Sequence, residues 1–280
     1  MHALQSNSKK VLITVSAAVL LLWVVISIVP LYWMIIGSFQ DSKASASFQP
    51  QWWPSIWSMA PYERFFGKTM AVRWLFNSLF VSSVLTVTNV FFASLAGYAF
   101  AKLRFPGRNT IFWILLSTMM IPAQVTLIPL YVLMINVFDL GNTYTAIILP
   151  GIASVGNIFL MKQYMSSLPT SLIHAARIDA CSEFGIFWKI ILPLAKPGLA
   201  VLAIFTFVAN WNEFFWPLLV TSSNSMRTIQ VGLASFRFAE ATDFGAIMAG
   251  ATIGALPMFI LFFSLQKYFL QGITVGAVKG

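Results

Sequence analysis

Residues 168–197 read LPTSLIHAARIDACSEFGIFWKIILPLAKP, and the fold of the 280-residue chain is read outward from them. They form a polar interruption between apolar segments, and their pattern predicts two short helices. Pro169 with Thr170 or Ser171 offers a helix start, because a hydroxyl at the cap accepts an orphan backbone N–H. Ser182 followed by Glu183 offers a second start, and Pro193 and Pro197 stop or bend the second helix. In the first helix Ala176 and Ala180 stand four apart and are expected to share a face. Two methyl groups there let another surface come close, with the charges of Arg177 and Asp179 beside it.

The rest of the chain is apolar: 59% of residues are hydrophobic, 9% are charged and the mean hydropathy is +0.82. A soluble domain carries about 25% charged residues, so an all-α integral membrane protein is predicted. A helix needs about 20 apolar residues to cross a bilayer. Charge-free gaps place spans at about 11–39, 74–101, 109–134, 143–165, 198–220 and 244–268, the fifth interrupted by Glu213. An even number of spans puts both termini on one side. The short turns give the side: Lys102, Arg104 and Arg108 crowd the 102–108 turn, whereas 139–143 has no basic residue. Basic turns stay inside, so the termini and 168–197 are expected in the cytoplasm and 40–73 outside, within one transmembrane domain, 1–280. The first span is too long for a signal-peptide core. The net charge of +9 then reads as topology, not nucleic-acid affinity. One cysteine, Cys181, excludes an internal disulfide, and His2 and His174 are too far apart in sequence to suggest a metal site.

Trp52, Trp53, Trp57, Tyr62, Phe65 and Phe66 are expected at the headgroup level, with a contact to an external protein as the alternative. Gly67-Lys68-Thr69 is not a phosphate loop, since Tyr62 stands where its first glycine belongs. Ala93 with Gly97, and Ala246 with Gly250 and Gly254, are spaced for close helix packing. Pro122 and Pro129 are expected to bend the third span. The fifth span carries Asn210-Trp211-Asn212-Glu213 and then Trp216-Pro217. A charge inside a span faces a cavity or a partner. Read as one helix, residues 210, 213 and 217 share one face, and 212 and 216 another. A lining for a polyhydroxylated solute and a hydrogen bond to a neighbouring subunit both remain open.

HAARIDA at 174–180, nine residues and then IILP closely resemble the EAA motif of ATP-binding-cassette importer permeases. Ala175, Ala176, Ile190, Leu192 and Pro193 match; His174 replaces the family's Glu and Ala180 its Gly. PLYWMIIGSF at 30–39, and Trp211, Asn212, Phe214 or Phe215, Pro217 and Leu218, resemble the smaller permease of the maltose-type carbohydrate subfamily. The resemblance implies a six-helix permease bundle in a bacterial cytoplasmic (inner) membrane. It implies a coupling helix docked on an ATPase, with Ser171, His174, Ala175, Ala176, Arg177, Asp179, Ala180, Ser182 and Pro193 as coupling residues. It suggests Asn210, Trp211, Asn212, Glu213 and Trp216 for the solute pathway. The implied partners are a second homologous permease, two ATPase subunits, an external solute-binding protein and membrane lipid. This chain would do no catalysis and bind no cofactor, ATP and Mg²⁺ sitting on the ATPase. The cargo would be a di- or oligosaccharide, or else glycerol phosphate or another polyol derivative. An ion-coupled secondary transporter would want buried carboxylates or broken helices in paired halves. A membrane-embedded enzyme would want a paired set of acids, bases or metal ligands, and the sequence shows none.

Overall fold

The structure, a computed structural model, describes residues 2–41, 52–239 and 243–277. Lys43 and Lys279, both basic residues that bear on the orientation, and part of the 40–73 segment lie outside the described residues. Among the described residues all regular structure is helical. Among the described residues, three helices are each long and apolar enough to cross a membrane: α1 (His2–Gly37), α3 (Ala71–Lys102) and α14 (Phe244–Ala277). Between α1 and α3 lies α2 (Ala60–Lys68), with Pro61 in its first turn, where a missing N–H costs nothing. Thr69, the residue that gives 67–69 its likeness to a phosphate loop, caps α3: its Oγ1 accepts from Ala71 N at 3.1 Å.

The remaining apolar stretches are broken. Helices α4 (Arg108–Thr118) and α5 (Ala123–Val132, extended by a π-helical turn to Val137) meet at 90°. Pro122 causes that bend, since it lacks an N–H and bars its predecessor from helical backbone. Pro129, expected to bend the span too, sits inside α5. Helices α6 (Tyr144–Ile148, with a 3₁₀ turn to Gly151) and α7 (Val155–Ser166) are bent by 42°. Residues 168–197 form α8 (Ser171–Ile178), α9 (Glu183–Ile186), a π-helical turn over Phe187–Ile191 and α10 (Leu192–Leu194). Then α11 (Lys196–Trp211) leaves at 77° to the α9–α10 arm. The fifth apolar stretch is not one helix, contrary to expectation. It stops at Trp211 and resumes as α12 (Phe215–Val220), before α13 (Ile229–Ala239).

The chain separates into two compact units. One comprises Met1–Ala71 with Leu233–Ala255. Phe65 is fully buried in it, 5.6 Å from the Phe236 ring, and so belongs to the interior rather than to the expected aromatic belt; Trp52, Trp53 and Trp57 are exposed. A side chain at Gly250 would strike the Phe65 ring. Arg64 Nε donates to Asp243 Oδ2 at 2.8 Å, and Nη1 lies 3.2 Å from Asp41. The hydrogen bond that Arg64 donates to Asp243 raises the Arg64 pKa above its ordinary value. The other unit comprises Val72–Gly232 with Leu256–Gly280. There Gly97 is needed for close approach, because a Cβ would lie 2.7 Å from Met161 Cβ and 2.9 Å from Lys162 N. That contact seats α7 directly on α3.

Candidate functional site

Residues 168–183 lie against the C-terminal end of α3. Ile173 and Ala176, three apart on one stripe of α8, are buried with Met161, Met165, Ile186 and Phe187. This corrects the expected docking face. Ala176 points into its own chain, and Ala180 is beyond the helix end, so the two do not present paired methyl groups outward. The outward surface carries Ser171, Leu172, His174, Ala175 and Ile178 instead. Ile178 is 86% exposed, and Phe184 of α9 is 63% exposed. With Leu172, 41% exposed, they leave apolar side chains of this loop uncovered in this chain.

The end of α8 explains a residue type. Cys181 N donates to Ala176 O and Ala180 N to Arg177 O, the paired bonds of a Schellman closure. Such a closure requires left-handed backbone at Ala180, whose φ is +56°. Glycine takes that conformation freely, and alanine takes it at a cost of about 1 kcal/mol. Asp179, the residue before, is exposed. Ser182 caps α9 as predicted, accepting from Gly185 N at 3.1 Å. Thr170 does not cap α8 with its side chain. Its hydroxyl accepts from Lys102 Nζ at 3.2 Å, and the same ammonium donates to Leu168 O at 2.6 Å. Pro193 is exposed, just before the 77° bend at Ala195.

Glu183 joins the two short helices and α3. One carboxylate oxygen accepts from Arg177 Nε at 2.7 Å, and the other accepts from Tyr98 Oη at 2.9 Å. The bond with Glu183 raises the Arg177 pKa further, so its charge is fixed. The ion pair is half-exposed, 39% and 46%, and is worth about 0.2–1 kcal/mol by itself.

The 210–216 run is rearranged relative to expectation because the helix ends there. Trp211 is buried, stacked on Phe207 at 5.9 Å, and belongs to the interior. The Asn210 and Asn212 side chains donate to the carbonyls of Thr206 and Val208, four residues back. Glu213 sits in the break, where Oε1 accepts from Phe215 N at 3.0 Å and Trp216 N at 3.1 Å, the role of a helix cap. Trp216 Nε1 donates to Ala146 O on α6 at 3.0 Å. Asn212 and Glu213 are exposed. Among the described residues no cluster of His, Cys, Asp and Glu could hold a metal ion.

Residues 89–275 match the family described as binding-protein-dependent transport system inner membrane component. The chain belongs to this family. The arabinooligosaccharides transport system permease protein AraQ of Halalkalibacterium halodurans is 44% identical over 207 residues, 74% of this chain and 74% of that protein. The sn-glycerol-3-phosphate transport system permease protein UgpE of Yersinia enterocolitica is 35% identical over 202 residues, 71% and 72% of the two chains. A bacterial ABC transporter involved in the import of the acidic polysaccharide alginate has a chain of the same fold. Its TM-score is 0.83 at 24% identity, covering 94% of this chain and 98% of that one. The chain is therefore a membrane transport subunit with an importer-permease fold.

Several residues that hold this permease's site together are not singled out by the sequence pattern. Tyr98 lies in a span legible mainly by its length, and Lys102 draws notice only as a basic residue of the turn that orients the chain. Asn89 is 2% exposed; its Nδ2 donates to Gly151 O at 2.6 Å, the carbonyl freed where α6 breaks from α7, and its Oδ1 accepts from Asn157. Asn157 donates also to Thr206 Oγ1, tying α3, α7 and α11 together. A polar residue inside an apolar run is the available signal.

Proposed function

We propose that the chain is the permease subunit of an ATP-driven, binding-protein-dependent importer, and that its cargo is a di- or oligosaccharide. In this reading each bent helix pair counts as one span, giving six with the three unbroken helices among the described residues. Both termini and the 168–197 loop are cytoplasmic, in a bacterial inner membrane. A second homologous permease, two ATPase subunits and an external binding protein complete the assembly. ATP and Mg²⁺ sit on the ATPase, and this chain performs no hydrolysis. Closure of the ATPase pair displaces α8, and the helix bundle switches between inward- and outward-open states.

The observation that carries this reading is α8 itself: its inner stripe is locked into the bundle while Ile178, 86% exposed, is uncovered. The carbohydrate cargo is supported by the more similar relative, AraQ, at 44% identity. A glycerol phosphate cargo, suggested by UgpE, would want a cation at the pathway. The sequence has no Lys or Arg between Lys196 and Arg227, which favours a neutral polyhydroxylated solute. The test is Ile178→Asp. The permease should still be inserted and purified, and it should lose its ATPase on affinity purification. A variant that keeps the ATPase and full uptake contradicts the docking assignment.

A further inference from the structure

Helix α8 is held at both ends by one face of α3. Tyr98 and Lys102 stand four apart on that helix and so share a face. Lys102 Nζ holds the start of α8, donating to Leu168 O at 2.6 Å and to Thr170 Oγ1 at 3.2 Å. Tyr98 Oη holds its end through Glu183, whose second oxygen accepts from Arg177. Between the two grips, Ile173 and Ala176 are buried against the bundle. Tyr98 itself is 3% exposed, with its ring 5.5 Å from that of Phe187. A loop joined to its bundle only through its two chain ends would flex and dissipate a push. This one is cross-braced to the second long helix at points before, within and after α8.

We infer that Tyr98 and Lys102 are positioning residues for energy coupling: they make α8 and the cytoplasmic end of α3 move as one body, so that displacement of α8 is delivered to α3 as well as to the α9–α11 arm. This rests on the reading of α8 as the ATPase-docking helix. In this reading ATP sits on the ATPase, and the Tyr98 and Lys102 side chains bond to the loop. Their removal leaves docking intact and makes the stroke inefficient. Hydrolysis continues while less of it produces transport.

The experiment compares the reconstituted importer carrying Tyr98→Phe with Lys102→Met against the unaltered complex in proteoliposomes. Phe keeps the buried ring, and Met keeps the aliphatic stem. The readouts are solute moved per ATP hydrolysed and the amount of ATPase co-purifying. The expected result is a several-fold fall in solute moved per ATP, with the ATPase retained at normal stoichiometry. Lys102→Arg, which keeps the donor, should restore most of the ratio in the Tyr98-intact protein. An unchanged ratio overturns the inference, as does uptake and hydrolysis falling in step, which marks a merely structural role. Failure of the docking reading is recognised separately by Ile178→Asp, which would then keep its ATPase.

Discussion

Ala180 is the residue where the loop's backbone is under strain. Its φ of +56° is imposed by the Schellman closure of α8, and the matching family motif has glycine at this place. Ala180→Gly removes the Cβ penalty and should stabilise the loop end by about 1 kcal/mol, less a few tenths lost to chain entropy. Hydrogen–deuterium exchange of the segment holding the Cys181 amide should slow several-fold. Unchanged or faster exchange would mean that the left-handed turn does not form. The neighbouring alanines divide differently. Ala175 is exposed and Ala176 buried, so two adjacent, chemically identical matches to one motif do unlike jobs. One belongs to the outward surface and the other to the bundle. Sequence spacing brings both to attention, but which side faces the bundle depends on where α3 lies, which four residues of spacing do not encode.

Elements are where expectation and structure diverge most, and the reason is local backbone chemistry. The charge-free gaps mark where apolar helix runs, because charge is costly in lipid whatever the backbone does. They are silent on where a span breaks. At 119–122 the proline is the visible cause. Between α6 and α7 the break is sustained by Asn89, whose side chain takes up Gly151 O. Between α11 and α12 it is sustained by Glu213, capping Phe215 and Trp216. A carboxylate read from sequence as a lining or a subunit contact thus has a structural task within its own chain. Glu213→Ala should fray α12 at a cost of about 0.5–2 kcal/mol, seen as faster exchange over 214–218, with the complex still assembled. Asn212→Ala removes a side chain whose observed bond goes to its own helix, to Val208 O. If Asn212 lines the solute path, that variant lowers solute affinity in uptake without changing exchange. Uptake and exchange both unaltered in Asn212→Ala would remove Asn212 from the pathway.

At the scale of the whole molecule, membrane residence and the family are legible from composition and from one motif, and the match over residues 89–275 agrees with both. How the motif is seated is not legible. The seat is built from Tyr98 and Lys102 on α3 and from Met161 and Met165 on α7, elements that precede the loop in the chain and meet it only in the fold. A pattern read along the chain does not report such pairings. The apolar side chains of α1 from Leu12 to Val29 are exposed in this chain, which fits the proposed setting of lipid and a second permease. In that setting the turn after α8 lies on the cytoplasmic side and is covered by an ATPase. Cys181, the single cysteine, is exposed at that point and reports on both parts at once. The deciding experiment is labelling by a membrane-impermeant maleimide in right-side-out and inverted vesicles, with the ATPase present or stripped. The proposed topology and docking require no labelling of right-side-out vesicles, labelling of inverted vesicles once stripped, and protection when the ATPase is restored. Labelling from the outside, or labelling of inverted vesicles that the ATPase leaves unchanged, would contradict them.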